Sequence, residues 1–389
     1  MFVLLVATYR RQFVSTLAVL LLSACSAYKP PVEVGATSNS GSSPPSPAEW
    51  AKRADSAQVA LRGFVTPSGF LPQNNAGDPR FNYWWQAHFY DVLLDGYART
   101  RSPDYLLQLS QAYGAAKEKN DNTYLNEFYD DMEWHALACL RAYELTQNAV
   151  YKATAQQLWL DIKNGWNPAL GGISWKKTQR DYRNTPANAP AAMLAARFYQ
   201  LDHDPEDLEW AQRIYQWQKD HLVDPATGTV WDGVNRLGDG QVDRKWKFSY
   251  CQGVYVGAGL ALFRATQQPV YLQDAVRTAS YAINDQQLAP AGILKAEGEG
   301  DGGLFKGVFV RYLTLLAREG ATPAAARTSY VLFLKNNAQT LWQHGTRKPE
   351  TLFNTAWTSP PSGPVQGSTQ LSGLMLLEAL AELEAAKLL

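Results

Sequence analysis

The 389 residues carry 36 Lys and Arg against 36 Asp and Glu, so the formal net charge is zero. That balance argues against a nucleic-acid binder, which shows a basic excess. Hydrophobic residues make up 46%, with 13 Trp, 20 Tyr and 14 Phe, far too apolar for a disordered chain and enough for a large folded core.

The first residues contain Arg10 and Arg11, preceded by the apolar Phe2 to Val6 and followed by the apolar run Phe13 to Leu22 and the string Leu22-Ser23-Ala24-Cys25. A basic start, an apolar stretch too short to span a bilayer and a small-residue cleavage site predict a secretory signal over residues 1–24. The Leu-Ser-Ala-Cys string resembles a bacterial lipobox. This implies lipidation of Cys25 and an exported protein held at the outer membrane or cell surface through its lipid anchor alone. Residues 25–48, including Lys29-Pro-Pro-Val32 and Pro44-Pro-Ser-Pro-Ala48, have the Pro, Ser and Gly content of a tether. A single globular domain is expected over 49–389.

Within that domain one unit recurs: an apolar helix, a short turn carrying Pro or Asp, then an amphipathic helix. The clearest copies are Leu140-Arg-Ala-Tyr-Glu-Leu-Thr-Gln-Asn-Ala-Val-Tyr151 and Leu262-Phe-Arg-Ala-Thr-Gln-Gln-Pro-Val-Tyr271. The pattern predicts six apolar helices, near 86–100, 128–146, 188–201, 252–266, 305–318 and 369–386. They are apolar around most of their circumference, as in Gly257-Ala-Gly-Leu-Ala-Leu-Phe263, which implies an inner layer. Helices such as Leu208 to Trp217 keep a polar face and belong outside, with the first of them near Ala51 to Arg62. The expectation is an all-α fold, a closed (α/α)6 toroid of six hairpins. An open solenoid is the alternative, but it would need polar end caps, and the terminal helix is apolar.

Inner-to-outer turns are a few residues long, whereas the outer-to-inner connections are long: Gly77 to Trp85, Asn120 to Glu127, Gly165 to Asn188, Asp224 to Gln252, Gly292 to Gly307 and Thr346 to Thr369. In a toroid these gather at one end, which is where function is expected. At the start of the second inner helix stands Tyr124-Leu-Asn-Glu-Phe-Tyr-Asp-Asp-Met-Glu-Trp134, with Asp130 and Asp131 adjacent and Glu127 and Glu133 close by. Neighbouring side chains point about 100° apart on a helix, so the two carboxyls can flank a bound sugar. Like charge raises one of the two pKa values, separating a proton donor from an ionised nucleophile, the division of labour glycoside cleavage requires. By itself, an Asp-Asp pair at a helix start more often serves as a cap or a solvated pair.

The stretch Phe128-Tyr-Asp-Asp-Met-Glu-Trp-His-Ala-Leu-Ala138 resembles the Asp-Asp signature of glycoside hydrolase family 76, the endo-α-1,6-mannanases and their yeast cell-wall relatives. Further segments agree in order: Tyr83-Trp-Trp-Gln-Ala87, Gly171-Gly-Ile-Ser-Trp175, Arg183-Asn-Thr-Pro-Ala-Asn188, Thr227-Gly-Thr-Val-Trp-Asp-Gly233, Tyr250-Cys-Gln-Gly253 and Phe305-Lys-Gly-Val-Phe-Val-Arg-Tyr312. The resemblance spans the globular part and implies hydrolysis of α-1,6-mannosidic bonds with retention, Asp130 as nucleophile and Asp131 as acid/base. It also implies that Asp232 holds the sugar near the cleavage point. Met132-Glu133-Trp134-His135 departs from the family pattern of a small or acidic residue and paired aromatics, which bears on the floor of the sugar site.

Trp84, Trp85, Trp175, Trp231 and Trp246 lie in or beside the long loops and are candidates for stacking on pyranose faces, with Arg183, Asn188 and Gln252 bonding hydroxyls. The same residues could instead pack loops onto the ring. Glu297-Gly-Glu-Gly-Asp-Gly-Gly303 lacks the ligand order of an EF-hand and reads as a mobile rim loop. No Cys/His spacing suits a metal, so neither metal nor cofactor is expected, and Cys139 and Cys251 read as buried thiols, with a disulfide open to them in an oxidising compartment. His88, His135, His203, His221 and His344 form no evident pair, which ranks His-dependent toroid chemistry such as epimerisation low. The expected partner is an α-mannan or a mannose-containing oligosaccharide, met by a monomer. Transglycosylation through the same covalent intermediate, or glycan capture without turnover, are the rival readings.

Overall fold

The computed structural model describes residues 48–389; the expected signal, Cys25 and the tether up to Pro47 lie outside the described residues. The described chain folds into twelve α-helices: α1 (Glu49–Arg62), α2 (Tyr83–Thr100), α3 (Pro103–Lys119), α4 (Tyr129–Thr146), α5 (Ala149–Ile162), α6 (Thr185–Asp202), α7 (Pro205–Leu222), α8 (Ser249–Thr266), α9 (Pro269–Asn284), α10 (Gly302–Arg318), α11 (Ala324–Gln343) and α12 (Gly367–Ala385). The even-numbered helices form the inner ring. Each touches the next, and α12 returns to α2, so the ring closes and the open solenoid is excluded. Helices α3, α5, α7, α9 and α11 each pack outside the inner helix that precedes them, and α1 packs on α12, so the sixth hairpin is made by the two ends of the domain. The fold is the expected (α/α)6 toroid.

Four inner helices begin a turn earlier than the apolar pattern predicts. Tyr83, Thr185, Ser249 and Gly302 open helices whose first turns contain Pro, Gly and aromatic residues and therefore read as loop. Pro186 is at home there, because the first helical N–H groups have no partner in any case. This shift changes the role of the residues in those turns. The fourth residue of α2, α6, α8 and α12 is an amide, respectively Gln86, Asn188, Gln252 and Gln370. Each takes a loop N–H on its oxygen and gives an N–H to a loop carbonyl. Gln86 does so with Leu71 (2.9 and 2.9 Å), Asn188 with Ile173 (2.7 and 2.9 Å) and Gln252 with Val230 (2.9 and 2.8 Å). Gln370 takes the Phe353 N–H and donates to Thr351. A side-chain amide can mimic a strand neighbour, and here it fastens each long loop to the ring.

The tight end repeats as well. Arg101, Gln147, His203 and Gln267 adopt left-handed backbone (φ 61, 58, 56 and 57°), each donating its N–H to the carbonyl of an aromatic residue four positions back. The chain then turns directly into the next outer helix, in three cases at a Pro in its first turn. Inside the ring, small residues let helices approach. A Cβ on Gly253 would come within 2.6 Å of the Phe309 Cα, so α8 and α10 meet backbone to backbone.

At this tight end the inner helices enclose a cavity of about 310 Å³ lined by paired charges. Arg311 bonds Asp95 at 2.8 Å, and Arg141 reaches Asp91 at 3.0 Å and Asp95 at 2.5 Å. Burial alone would raise Asp95, but the two guanidinium groups hold it down at about 2. Arg99 clamps Glu378 of α12 at 2.9 Å and joins the ring across its closure.

Candidate active site

At the opposite end, where the inner helices begin, a cleft of about 690 Å³ opens. This is the end with the long loops, as the loop lengths predict. Two short elements build its wall: β1 (Ser174–Lys176) and β2 (Gln179–Asn184) form an antiparallel hairpin, and β3 (Gly233–Val234) pairs with β2 so that Asn184 faces Gly233. The wall carries Trp175, Tyr182 and Asp232 into the cleft.

Asp130 and Asp131 occupy the first turn of α4 and both line the cleft. Their surroundings differ. Asp130 Oδ1 accepts the Asp131 N–H at 3.0 Å, and its carboxylate takes a further hydrogen bond from the Trp175 indole. Burial raises Asp130 to about 7, helped by the charges of Asp232 and Asp301 and opposed by those two donors. Asp131 accepts no hydrogen bond on its carboxylate among the described residues. Burial first, then the charges of Asp130 and Asp301, push its carboxyl well above the usual range. The pair therefore holds a proton more tightly at Asp131 and favours negative charge at Asp130.

Asp232 is also in the cleft, and both of its oxygens are engaged. Tyr182 donates to one at 2.9 Å and Tyr250 to the other at 2.6 Å, while the Cys251 thiol lies 3.7 Å away. Burial raises Asp232 and the two phenols counter it. Gly233 makes this possible, because a Cβ there would come within 2.6 Å of the Tyr182 ring.

Of the tryptophans, Trp84 and Trp175 line the cleft, together with Trp134 and Trp246. Trp85 does not; it is 1% exposed, because neighbours on a helix diverge by about 100° and Trp84 takes the open side. Trp231 and Arg183 are likewise turned away, Arg183 by the two-residue alternation of β2 and Trp231 at the bend that leads into β3. Asp232 and Tyr182 point into the cleft, so Trp231 packs beside Arg244 and Lys247, and the Arg183 guanidinium lies over Trp217. Asn188 and Gln252 are fully buried and spend their amides on loop backbone, which leaves nothing for a sugar hydroxyl. The sequence reading of these five as sugar contacts is corrected accordingly.

Glu127 lies outside the cleft lining and takes the Thr178 N–H and hydroxyl, fastening the β1–β2 turn. Glu133 is buried below the pair, raised by burial and then by Asp130. His88 packs against Trp84 and Trp134 beneath the cleft floor, and burial lowers it to about 3, so it stays neutral. Cys139 and Cys251 are both buried, and neither is in a disulfide among the described residues.

The loop before α10 is not the loose rim its glycines suggest. Glu297 is half-buried and accepts the Ser249 N–H at 2.8 Å and its hydroxyl, Gly300 donates to Gln366 at 2.6 Å, and Asp301 accepts from both Trp84 and Trp85. Tyr182, Tyr250 and Asp301 are the site residues that sequence reasoning did not single out. Tyr250 stood inside a quoted motif, and Asp301 inside a segment read only for Ca²⁺.

A family model described as glycosyl hydrolase family 76 matches residues 50–388. The α-1,6-mannanase of Salegentibacter sp. is 44% identical and superposes with a TM-score of 0.84 over 86% of this chain and 100% of that one. An inactive variant of that enzyme, with two consecutive aspartates changed to asparagine, has been solved with α-1,6-mannotriose and is 43% identical, with the same coverage and TM-score. A Listeria innocua protein is 39% identical, with a TM-score of 0.82 over 87% of this chain and 99% of that one. Among fungal proteins, a mannan endo-1,6-α-mannosidase of Candida glabrata is 28% identical over 204 residues, 47% of this chain and 46% of that protein, so this chain spans about half the length of that relative. With twelve helices in a closed toroid, an aspartate pair at its open mouth and a family match over nearly all of the described residues, the chain belongs to glycoside hydrolase family 76.

Proposed function

We propose that the protein is a retaining glycosidase that cleaves internal α-1,6-mannosidic bonds of a mannan or mannose-containing glycan. The observation that carries this reading is the unequal hydrogen bonding of the adjacent aspartates: among the described residues two donors reach Asp130 and none reaches the Asp131 carboxylate. An ionised Asp130 attacks the anomeric carbon while Asp131 gives its proton to the departing glycosidic oxygen, leaving a mannosyl ester on Asp130. Asp131, now a base, takes a proton from water as the water opens the ester and restores Asp130. Asp232, held by Tyr182 and Tyr250, stands on the cleft wall where it can bond a hydroxyl of the reacting sugar. Trp84, Trp134 and Trp175 supply apolar faces for the pyranose rings. The α-1,6-mannanases among the similar structures support the substrate class.

The proposal extends to location: the signal-like start and Leu22-Ser23-Ala24-Cys25 support export and lipid anchoring through Cys25, with the catalytic domain acting as a monomer outside the membrane.

Incubation with linear α-1,6-mannan, followed by sizing and anomeric analysis of the products, tests the reading. Oligosaccharides released with retained configuration are expected, and Asp130→Asn and Asp131→Asn should each lower the rate by at least about 10³-fold. Full activity in either variant, or inverted products, would remove the assignment.

A further inference from the structure

Besides the pair and Asp232, the cleft holds a fourth carboxylate, whose purpose the proposed double displacement leaves open. Asp301 stands immediately before α10 and lines the cleft with Asp130, Asp131 and Asp232. Its Oδ1 accepts the indole N–H of Trp84 at 2.8 Å and that of Trp85 at 3.0 Å. Its Oδ2 accepts no hydrogen bond among the described residues, and no Lys or Arg there is within ion-pair distance of it. An exposed carboxylate is no burden in itself. This one, however, raises the carboxyls of both Asp130 and Asp131, so it works against ionisation of the nucleophile and has no cation to offset it. Two indole donors converging on one oxygen fix the carboxylate plane and leave the other oxygen as an oriented acceptor on the cleft wall. The Trp84 ring, held by the same contact, lies beside it as an apolar face. An oriented acceptor next to an aromatic plane is the arrangement that binds a pyranose, whose C–H face meets the ring while its equatorial or axial hydroxyls meet the oxygen.

We infer that Asp301 is a substrate-positioning residue whose indole-anchored carboxylate accepts hydroxyl hydrogen bonds from a pyranose unit seated on Trp84. This inference rests on the glycosidase reading above and names a further residue of the same cleft. It also gives the paired tryptophans distinct duties. Trp84 touches both sugar and carboxylate, while the buried Trp85 touches only the carboxylate and sets its angle.

Asparagine separates recognition from anchoring. In Asp301→Asn the side-chain oxygen still accepts from both indoles, but an NH₂ replaces the free acceptor; in Asp301→Ala both functions are lost. With α-1,6-mannotetraose as substrate, Asp301→Asn should raise KM about tenfold or more with kcat within about threefold, and with tryptophan emission unchanged. Asp301→Ala should raise KM at least as much and also shift the emission. Wild-type KM in the asparagine variant would make Asp301 only a pin for the tryptophans, and a kcat loss larger than the KM change would place its action on the catalytic pair; either result overturns the inference. If the wild-type protein does not cleave the tetraose at all, the glycosidase reading fails on its own. Calorimetric titration of the same tetraose then decides the inference: weaker binding to the asparagine variant supports it, and equal or absent binding to both proteins overturns it.

Discussion

Replacing Gln252 by Leu tests whether the buried amides are loop fasteners. Leucine nearly conserves the volume of glutamine, so the cavity contribution is small and the effect isolates the hydrogen bonds. Gln252 satisfies the N–H and the carbonyl of Val230, a fully buried residue, and also donates to the Phe248 carbonyl at 3.0 Å. Losing the partners of two buried backbone groups costs about 1–3 kcal/mol each, so a loss of about 2–6 kcal/mol is expected. At about 2 cal/mol/K per residue over roughly 340 residues, the unfolding entropy is about 0.7 kcal/mol/K, which converts that loss to a Tm lowered by roughly 3–9 °C. Scanning calorimetry reads the shift directly. Because Val230 lies two residues from Asp232, KM should rise modestly, by less than about threefold. An unchanged Tm together with a tenfold increase in KM would refute the reasoning and return Gln252 to the sugar.

Two further outcomes follow from the buried charges. Arg311→Met strands Asp91 and Asp95 with Arg141 alone, and urea unfolding should show a loss of about 3–5 kcal/mol with activity retained in the folded fraction, since the cluster sits at the far end of the ring from the cleft. A loss under about 1 kcal/mol would mean that the cavity is wet enough to solvate the carboxylates. For Asp131, the folded pKa lies above the unfolded one, so the fold prefers the protonated form and the stability this provides is lost as pH rises through the folded value. Asp131→Asn is neutral at every pH, so it should be more thermostable than the parent at pH 8 and about equal at pH 4. A stability gain of the same size at both pH values would contradict a raised carboxyl.

The toroid was legible in the chain because its causes are local. Helices apolar around their circumference must be buried on both sides, and short turns against long loops sort the two ends before any packing is known. The adjacency of Asp130 and Asp131 also survives folding unaltered, since residues in one helical turn stay together whatever surrounds them. Direction and partnership could not be read this way. Arg183 and Tyr182, Trp231 and Asp232, and Trp85 and Trp84 are neighbours in the chain, yet one member of each pair enters the cleft and the other packs behind it, according to the register of β2 with β3 and the rotation of α2. Asn188 and Gln252 look like sugar-binding amides in sequence, but the loops fold back over their helices and claim both ends of each side chain. Asp301 became visible only when ring closure brought α10 within reach of α2, more than 200 residues earlier in the chain, and set two indoles on one oxygen. Periodicity fixes which residues are buried or share a helical turn, because those relations repeat along the backbone. Which buried polar group meets which depends on contacts between distant segments, and only the closed ring supplies them.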